Sequence, residues 1–416
     1  MSLPTFAIVG AGMAGARVAI TLRNEGFDGR VILLGAEADA PYERPPLSKA
    51  FLRGEQERAA IAITPKGASW SDIEVELRLG VEVTELDART STLTLDTGER
   101  VAYDRLLLAT GSEPRRLDLP GADLDGVYLL RTVKDAEHIG AAIARGDRIV
   151  VIGGGWIGAE VAACARQRGA PVTLLTGASP LLERTLGSEV AAVYAALHRR
   201  HGVDIRQGGQ ASAIVGAAGR VTGVRLADGS SLEADTVVVG IGALPRVGLA
   251  EHAGLEVAGG VRVDVLFRTS VPDVWAVGDI ALMRHPVLDR DVRLDHWAAA
   301  WFGGPAAARS MLGKGVPYER VPYLYSDQYD LSMEAWGVPH RWDRVVIRGE
   351  PASGEFLAFW LLDGHIVGTM LGGHGEASQR KVLEALVRSS VMADPGALAD
   401  PGITIGSLLP ESPEAS

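Results

Sequence analysis

The 416 residues carry 41 Lys and Arg against 52 Asp and Glu, a formal net charge of −11, with 47% apolar and 22% charged residues. That acidity argues against nucleic acid as a partner, because phosphate binding calls for a basic excess, and no run of about 18 apolar residues is present to span a membrane. With Cys164 as the single cysteine, no intrachain redox disulfide can form, which excludes chemistry through a protein dithiol.

The length allows two or three domains. An apolar run, Phe6 to Val9, leads directly into Gly10-x-Gly12-x-x-Gly15 and a small-residue helical pattern, Ala16 to Leu22. This is strand, tight turn, helix: Gly10 permits the turn, Gly12 lets backbone approach a pyrophosphate, and Gly15 lets helix and strand pack closely. Because this strand starts within reach of the first residue, no signal segment is expected ahead of it, and the protein is expected to be cytoplasmic. The next β-rich run, Val31–Leu34, is followed by Glu37, close to the spacing at which an acidic side chain meets the adenosine ribose.

Pro41 to Lys49 reads P-Y-E-R-P-P-L-S-K. Its three prolines predict a stiff, extended loop, able to hold Arg44 or Lys49 against a cofactor at little ordering cost. Residues 60–98 suggest short strands and turns. Tyr103 to Gly111 is a buried strand breaking at Ala109-Thr110-Gly111.

Ile149 to Glu160, I-V-V-I-G-G-G-W-I-G-A-E, repeats the apolar run and the glycine spacing at Gly153, Gly155 and Gly158. A small-residue helix, Ala159 to Ala165, and a strand, Val172–Leu175, follow, and Asp235 to Pro245 repeats the later strand. Two such units imply two dinucleotides. Cys164 falls inside the second helix, where a buried, inert thiol is expected.

Val271 to Asp279 is a further strand, ending in an Asp placed either to accept from ribityl hydroxyls or to serve as an N-cap. From Asp295 to Leu312 the pattern is helical, with Gly303, Gly304 and Pro305 expected to break or kink it. After Tyr323 the chain becomes an α+β module, with a hairpin joining Glu355–Leu362 to His365–Met370 through Asp363-Gly364. A helix of about Glu376 to Ser389 follows, and a loosely held tail is expected beyond Asp394. His198 and His201 lack a partner carboxylate motif and read as surface residues rather than metal ligands; no metal site is expected.

In order, G-A-G-M-A-G, P-Y-E-R-P-P-L-S-K, L-L-L-A-T-G, G-G-G-W-I-G-A-E, V-P-D-V-W-A-V-G-D, D-H-W and Y-L-Y-S-D-Q-Y-D-L resemble the oxygenase-coupled NADH-dependent ferredoxin reductases, the group of putidaredoxin and rubredoxin reductases. The resemblance implies an α/β fold with two Rossmann-like dinucleotide-binding domains and a C-terminal α+β domain. A discontinuous FAD domain would take residues 1–112 and 246–321, the inserted NAD(P)H domain 113–245, and the C-terminal domain 322–416. By position it implies FAD on Gly10, Gly12, Ala14, Gly15, Glu37, Arg44, Lys49, Val83, Ala109, Gly111, Arg131, Asp279 and Trp297. NADH is implied on Gly153, Gly155, Ile157, Gly158, Glu160, Thr176 and Gly242. Lys49 would sit beside the flavin, paired with Glu160, and Trp297 and Tyr325 would lie near its edge on the route by which electrons leave.

Hydride from NADH to flavin N5, then single electrons to a [2Fe–2S] ferredoxin feeding a P450 or Rieske oxygenase, is the expected chemistry. Arg309, Lys314 and Arg320 are expected to meet the acidic ferredoxin. The chain departs from the family pattern at several positions. Thr176 stands where an acidic residue is usual, which leaves NADPH open, with Arg184 as a candidate for its 2′-phosphate. Tyr325 replaces Trp, and Ala299 and Gly303 replace Asn and Gln. Rival readings are an NAD(P)H oxidase or small-oxidant reductase, and an NADH-sensing interaction protein resembling apoptosis-inducing factor. Monomer and homodimer both remain open.

Overall fold

A computed structural model describes residues 3–293, 295–337 and 339–410. The chain divides into two compact units: Met1–Glu43, Ala59–Glu113 and Leu244–Pro322 form the first, and Arg44–Arg58, Pro114–Ala243 and Tyr323–Ser416 the second.

The first unit is built on a five-stranded parallel sheet in the order Val274–Ala276, Arg105–Leu108, Thr5–Val9, Arg30–Gly35, Val75–Leu79. Its central strands are short, continuous apolar runs buried on both faces, the composition that parallel sheets require. Val9 is in register with both Leu34 and Leu108, so the segments leaving these strands emerge at one edge. The helices Met13–Asn24 and Trp297–Met311 pack against each other.

The second of these helices is continuous through Gly303, Gly304 and Pro305, contrary to the expected break. A Cβ on Gly304 would stand 2.7 Å from Arg17 Cβ and 3.0 Å from the Ala14 carbonyl oxygen, and one on Gly303 would stand 3.1 Å from Val277 Cγ2. The two glycines permit close packing of helix on helix and helix on sheet. They do not end the helix.

The second unit repeats the arrangement in a parallel sheet ordered Asp204–Gln207, Val172–Thr176, Ile149–Ile152, Thr236–Val239, Val127–Leu129. It also holds an antiparallel sheet ordered Tyr323–Gln328, Leu331–Trp336, His365–Gly372, Glu355–Leu362, Arg344–Glu350. The hairpin at Asp363-Gly364 turns with positive φ at both residues, 51° and 77°, the twist that two-residue loops favour. A helix, Ala377–Arg388, follows.

Two local expectations are corrected in this unit. Pro45–Ser48 form a 3-10 turn, with prolines in its first positions, where no N–H is needed, leading into the short helix Ala50–Arg53. The chain after Asp394 is held: Leu398 is fully buried, and Arg348 Nη2 donates to the carbonyls of Pro401 and Ile403 at 3.1 and 2.6 Å. Residues 411–416 of the expected tail lie outside the described residues.

Candidate functional site

In the first unit the glycine turn follows strand Thr5–Val9. Gly10 has φ +116°, and a Cβ there would stand 2.1 Å from the Ala109 carbonyl oxygen; one on Gly15 would stand 2.0 Å from the Gly10 carbonyl oxygen. Gly12 differs, with no described residue within 4 Å of its notional Cβ. It caps helix Met13–Asn24 without a side-chain hydrogen bond, so the open space lies at a helix N-terminus, where N–H groups and dipole favour an anion.

Ala109 and Gly111 leave the neighbouring strand Arg105–Leu108 at the same edge, and Asp279 follows strand Val274–Ala276. Asp279 accepts from Ser112 Oγ at 2.6 Å. Glu37 follows strand Arg30–Gly35 and accepts from the Tyr42 hydroxyl at 2.5 Å. The structure thus brings Gly10, Gly12, Ala14, Gly15, Glu37, Ala109, Gly111 and Asp279 to the carboxyl edge of one parallel sheet, the position at which such folds bind dinucleotides. Val83 begins a separate short strand, Val83–Asp87, and is half-buried. Trp297 stacks on Trp301 at 5.0 Å, and the Arg17 guanidinium covers Trp301 at 4.2 Å.

The second unit reproduces the turn. Gly153 has φ +123° and would carry its Cβ 2.2 Å from the Gly240 carbonyl oxygen, while Gly158 would carry its own 2.0 Å from that of Gly153. Gly155, like Gly12, has open space around its notional Cβ. Ile157 is exposed beside it, and Gly242 turns with φ +105°. Thr176 ends strand Val172–Thr176 fully buried, its Oγ1 without a hydrogen-bond partner among the described residues, and a Cβ on Gly154 would meet its methyl at 2.8 Å. Arg184 is exposed near the start of helix Glu183–Arg200.

Also in the second unit, helix Trp156–Gln167 grips the proline-rich segment. Glu160, Cys164 and Arg168 are spaced by four and share one helical face. Lys49 Nζ lies 2.7 Å from Glu160 Oε2, Cys164 Sγ donates to the Ser48 carbonyl at 3.1 Å, and Arg168 Nη1 donates to that of Leu52 at 3.1 Å. Glu160 is 3% exposed and accepts two further hydrogen bonds, from Ser48 Oγ and, at 2.6 Å, from Ser326 Oγ. Burial without charged partners would be costly for this carboxylate; three oxygen-directed contacts, one each from Lys49, Ser48 and Ser326, offset it.

The Tyr325 ring lies 5.5 Å from Lys49 Nζ, and Arg44 Nη1 donates to the Arg131 carbonyl at 2.6 Å. Burial pushes the Cys164 thiol up to about 12, in keeping with an inert thiol. Sequence patterns carried no sign of Ser48 and Ser326 as ligands of Glu160, since only the tertiary fold brings them to it.

One expectation fails here. His198 is not on the surface: it is fully buried, with Nε2 2.8 Å from Gln328 Oε1, because helix Glu183–Arg200 turns that face toward the antiparallel sheet. His201 stacks on Tyr329 at 3.8 Å. Among the expected docking cations, Arg309 pairs with Glu25 at 2.7 Å and Lys314 with the same carboxylate at 3.6 Å, so their charge is partly compensated; Arg320 covers Phe302 at 3.7 Å.

Residues 4–304 match the model of the pyridine nucleotide-disulphide oxidoreductase family, and residues 323–409 that of the reductase C-terminal domain. The chain is 39% identical over 418 residues to the ferredoxin–NAD(+) reductase component of the anthranilate 1,2-dioxygenase system of Burkholderia cepacia, covering 98% of this chain and 100% of that protein. It is 35% identical over 409 residues to a ferredoxin–NAD(P)(+) reductase of a Sphingomonas species, covering 98% of each. Among solved structures, the covalent putidaredoxin reductase–putidaredoxin complex matches with a TM-score of 0.92 and 33% identity, over 98% of both chains. With both glycine turns, the paired parallel sheets and these matches in hand, the chain belongs to the pyridine nucleotide-disulphide oxidoreductase family and carries its reductase C-terminal domain.

Proposed function

We propose that this protein is an FAD-dependent NADH:ferredoxin oxidoreductase, moving electrons from NADH to a [2Fe–2S] ferredoxin that serves a P450 or Rieske oxygenase. The observation that carries the reading is the Lys49–Glu160 pair at 2.7 Å, which joins the proline-rich segment to the helix of the second glycine turn. The open space at Gly12, on the carboxyl edge of the first sheet, fits a dinucleotide pyrophosphate, and the same space at Gly155 fits a second. We assign residues 1–112 and 246–321 to FAD, 113–245 to the nicotinamide nucleotide and 322–416 to the C-terminal domain, and place the reaction in the cytoplasm.

Bound FAD supplies the conversion of a two-electron hydride donor into a one-electron source. The chain's own residues bind and orient. Gly10, Gly12, Gly15 and Asp279 hold the flavin nucleotide, Gly153, Gly155 and Gly158 hold NADH, and Lys49 presents a cation that stabilises negative charge where it develops. Glu160 keeps that ammonium in place. A buried thiol at about 12 gives Cys164 no nucleophilic part, which disfavours disulfide or peroxide chemistry.

Anaerobic stopped-flow mixing with NADH, then NADPH, then an oxidised [2Fe–2S] ferredoxin tests the reading. Fast flavin bleaching followed by ferredoxin reduction is expected. Slow bleaching by both nucleotides, or reduced flavin that ignores ferredoxins and reacts with oxygen, would refute it.

A further inference from the structure

Ser326 and Gln328 lie two apart on the strand Tyr323–Gln328 and so share a face; both are 1% exposed. Gln328 Nε2 donates to Ser326 Oγ at 3.1 Å, Ser326 Oγ donates to Glu160 Oε1 at 2.6 Å, and Gln328 Oε1 faces His198 Nε2 at 2.8 Å. The Glu160 carboxylate, with Lys49 against it, sets the direction of the whole series. An ionised carboxylate only accepts, so the Ser326 hydroxyl must donate to it and can receive only on its lone pairs. Gln328 must therefore turn its NH2 to Ser326 and its carbonyl to His198, and His198 must carry its proton on Nε2. The Nδ1 of His198 is buried with no partner among the described residues, as an imidazole fixed from one side only.

We propose that Ser326, Gln328 and His198 are positioning residues for the Lys49–Glu160 pair: an aligned hydrogen-bond series from the C-terminal sheet that holds the Glu160 carboxylate, and through it the Lys49 ammonium, in one place. Buried polar series of this kind specify a single geometry when every donor meets an acceptor. The inference rests on the role given to Lys49 above. It explains a use for the S-D-Q motif that nucleotide binding does not absorb: its Ser and Gln address the carboxylate, while Asp327 between them points elsewhere, accepting from Ser332 Oγ at 2.7 Å.

The test is the rate constant of flavin reduction by NADH, with the flavin midpoint potential, in the FAD-loaded protein. Ser326→Ala should slow reduction about five- to tenfold, a fraction of what a hydrogen bond to a charged group can supply, and Ser326→Thr should restore it to within about twofold. In a Lys49→Met background, Ser326→Ala should have no further effect, since the residue it positions is gone. His198→Phe should show the same masking with a smaller loss. If Lys49→Met slows reduction but Ser326→Ala multiplies the loss equally in both backgrounds, or has no effect in either, the inference fails while the reading of Lys49 stands. If Lys49→Met leaves rate and potential unchanged, the reading of Lys49 fails, and Ser326 has no pair to position.

Discussion

The thiol of Cys164 donates to the backbone carbonyl of Ser48 at 3.1 Å, one helical turn beyond the carboxylate that pairs with Lys49. Helix Trp156–Gln167 therefore fixes both the side chain and the backbone of the segment that carries the cation. With the thiol pushed up to about 12 by burial, its thiolate fraction at pH 8 is about one in ten thousand. Native protein should resist iodoacetamide at that pH and release one reactive thiol on unfolding; alkylation of the folded protein at the rate of free cysteine would show that the helix does not hold this contact.

The two glycine turns should be separable by substitution at their open positions. Gly12→Ala meets none of the described residues, so it should leave folding intact and lower the flavin content of the purified protein. Gly155→Ala should keep its flavin and raise the KM for NADH about tenfold. Gly10→Ala, with φ +116° and a backbone oxygen 2.1 Å away, should instead impair folding. Absorbance ratios and steady-state kinetics read out all three, and flavin loss from Gly155→Ala would reverse the assignment.

Thr176→Asp should shift nucleotide preference toward NADH. Thr176 offers a short hydroxyl, buried and unpartnered among the described residues, where a carboxylate would accept from ribose hydroxyls. A charged hydrogen bond of this type predicts a rise of about tenfold in the NADH to NADPH ratio of kcat/KM. An unchanged ratio would mean that the end of this strand does not face the adenosine ribose.

His198 makes stability depend on pH. Burial lowers its folded pKa to about 4 from 6.5, so the unfolded chain binds a proton that the native state refuses. Above the unfolded value the effect is absent; as pH falls from 6.5 toward 4 stability is lost, by up to about 3 kcal/mol. His198→Leu should flatten the fall in thermal midpoint between pH 7 and pH 4.5. An equal fall in both proteins would assign the acid sensitivity to other groups.

Glu25 shields Arg309 and Lys314. If these cations meet an acidic ferredoxin, Glu25→Gln should raise kcat/KM for ferredoxin about two- to fivefold at low salt and leave NADH oxidation by ferricyanide unaltered. The gain should vanish at about 0.5 M salt, where exposed charges are screened. A loss, or a gain that persists in salt, would place docking elsewhere.

The two glycine turns were legible in the sequence, because Gly10, Gly15, Gly153 and Gly158 are demanded by contacts within a few residues or with an adjacent strand. The helix after Trp297 was misread for a related reason: a glycine that admits a neighbouring helix and one that ends its own look alike in a sequence. Gly304 belongs to the first kind, and only the Arg17 side chain 2.7 Å from its notional Cβ reveals it. His198 carried no signal of burial, since its neighbours His201 and Arg200 are those of a surface.

The sequence by itself determined the two strand–turn–helix units, the hairpin at Asp363-Gly364 and the absence of a dithiol, all of which follow from backbone sterics and composition acting locally. Only the tertiary structure decided what surrounds Glu160. Ser48 and Ser326 stand 112 and 166 residues from it along the chain, and hydrogen bonds between such partners depend on how separate segments pack, which no spacing or periodicity encodes.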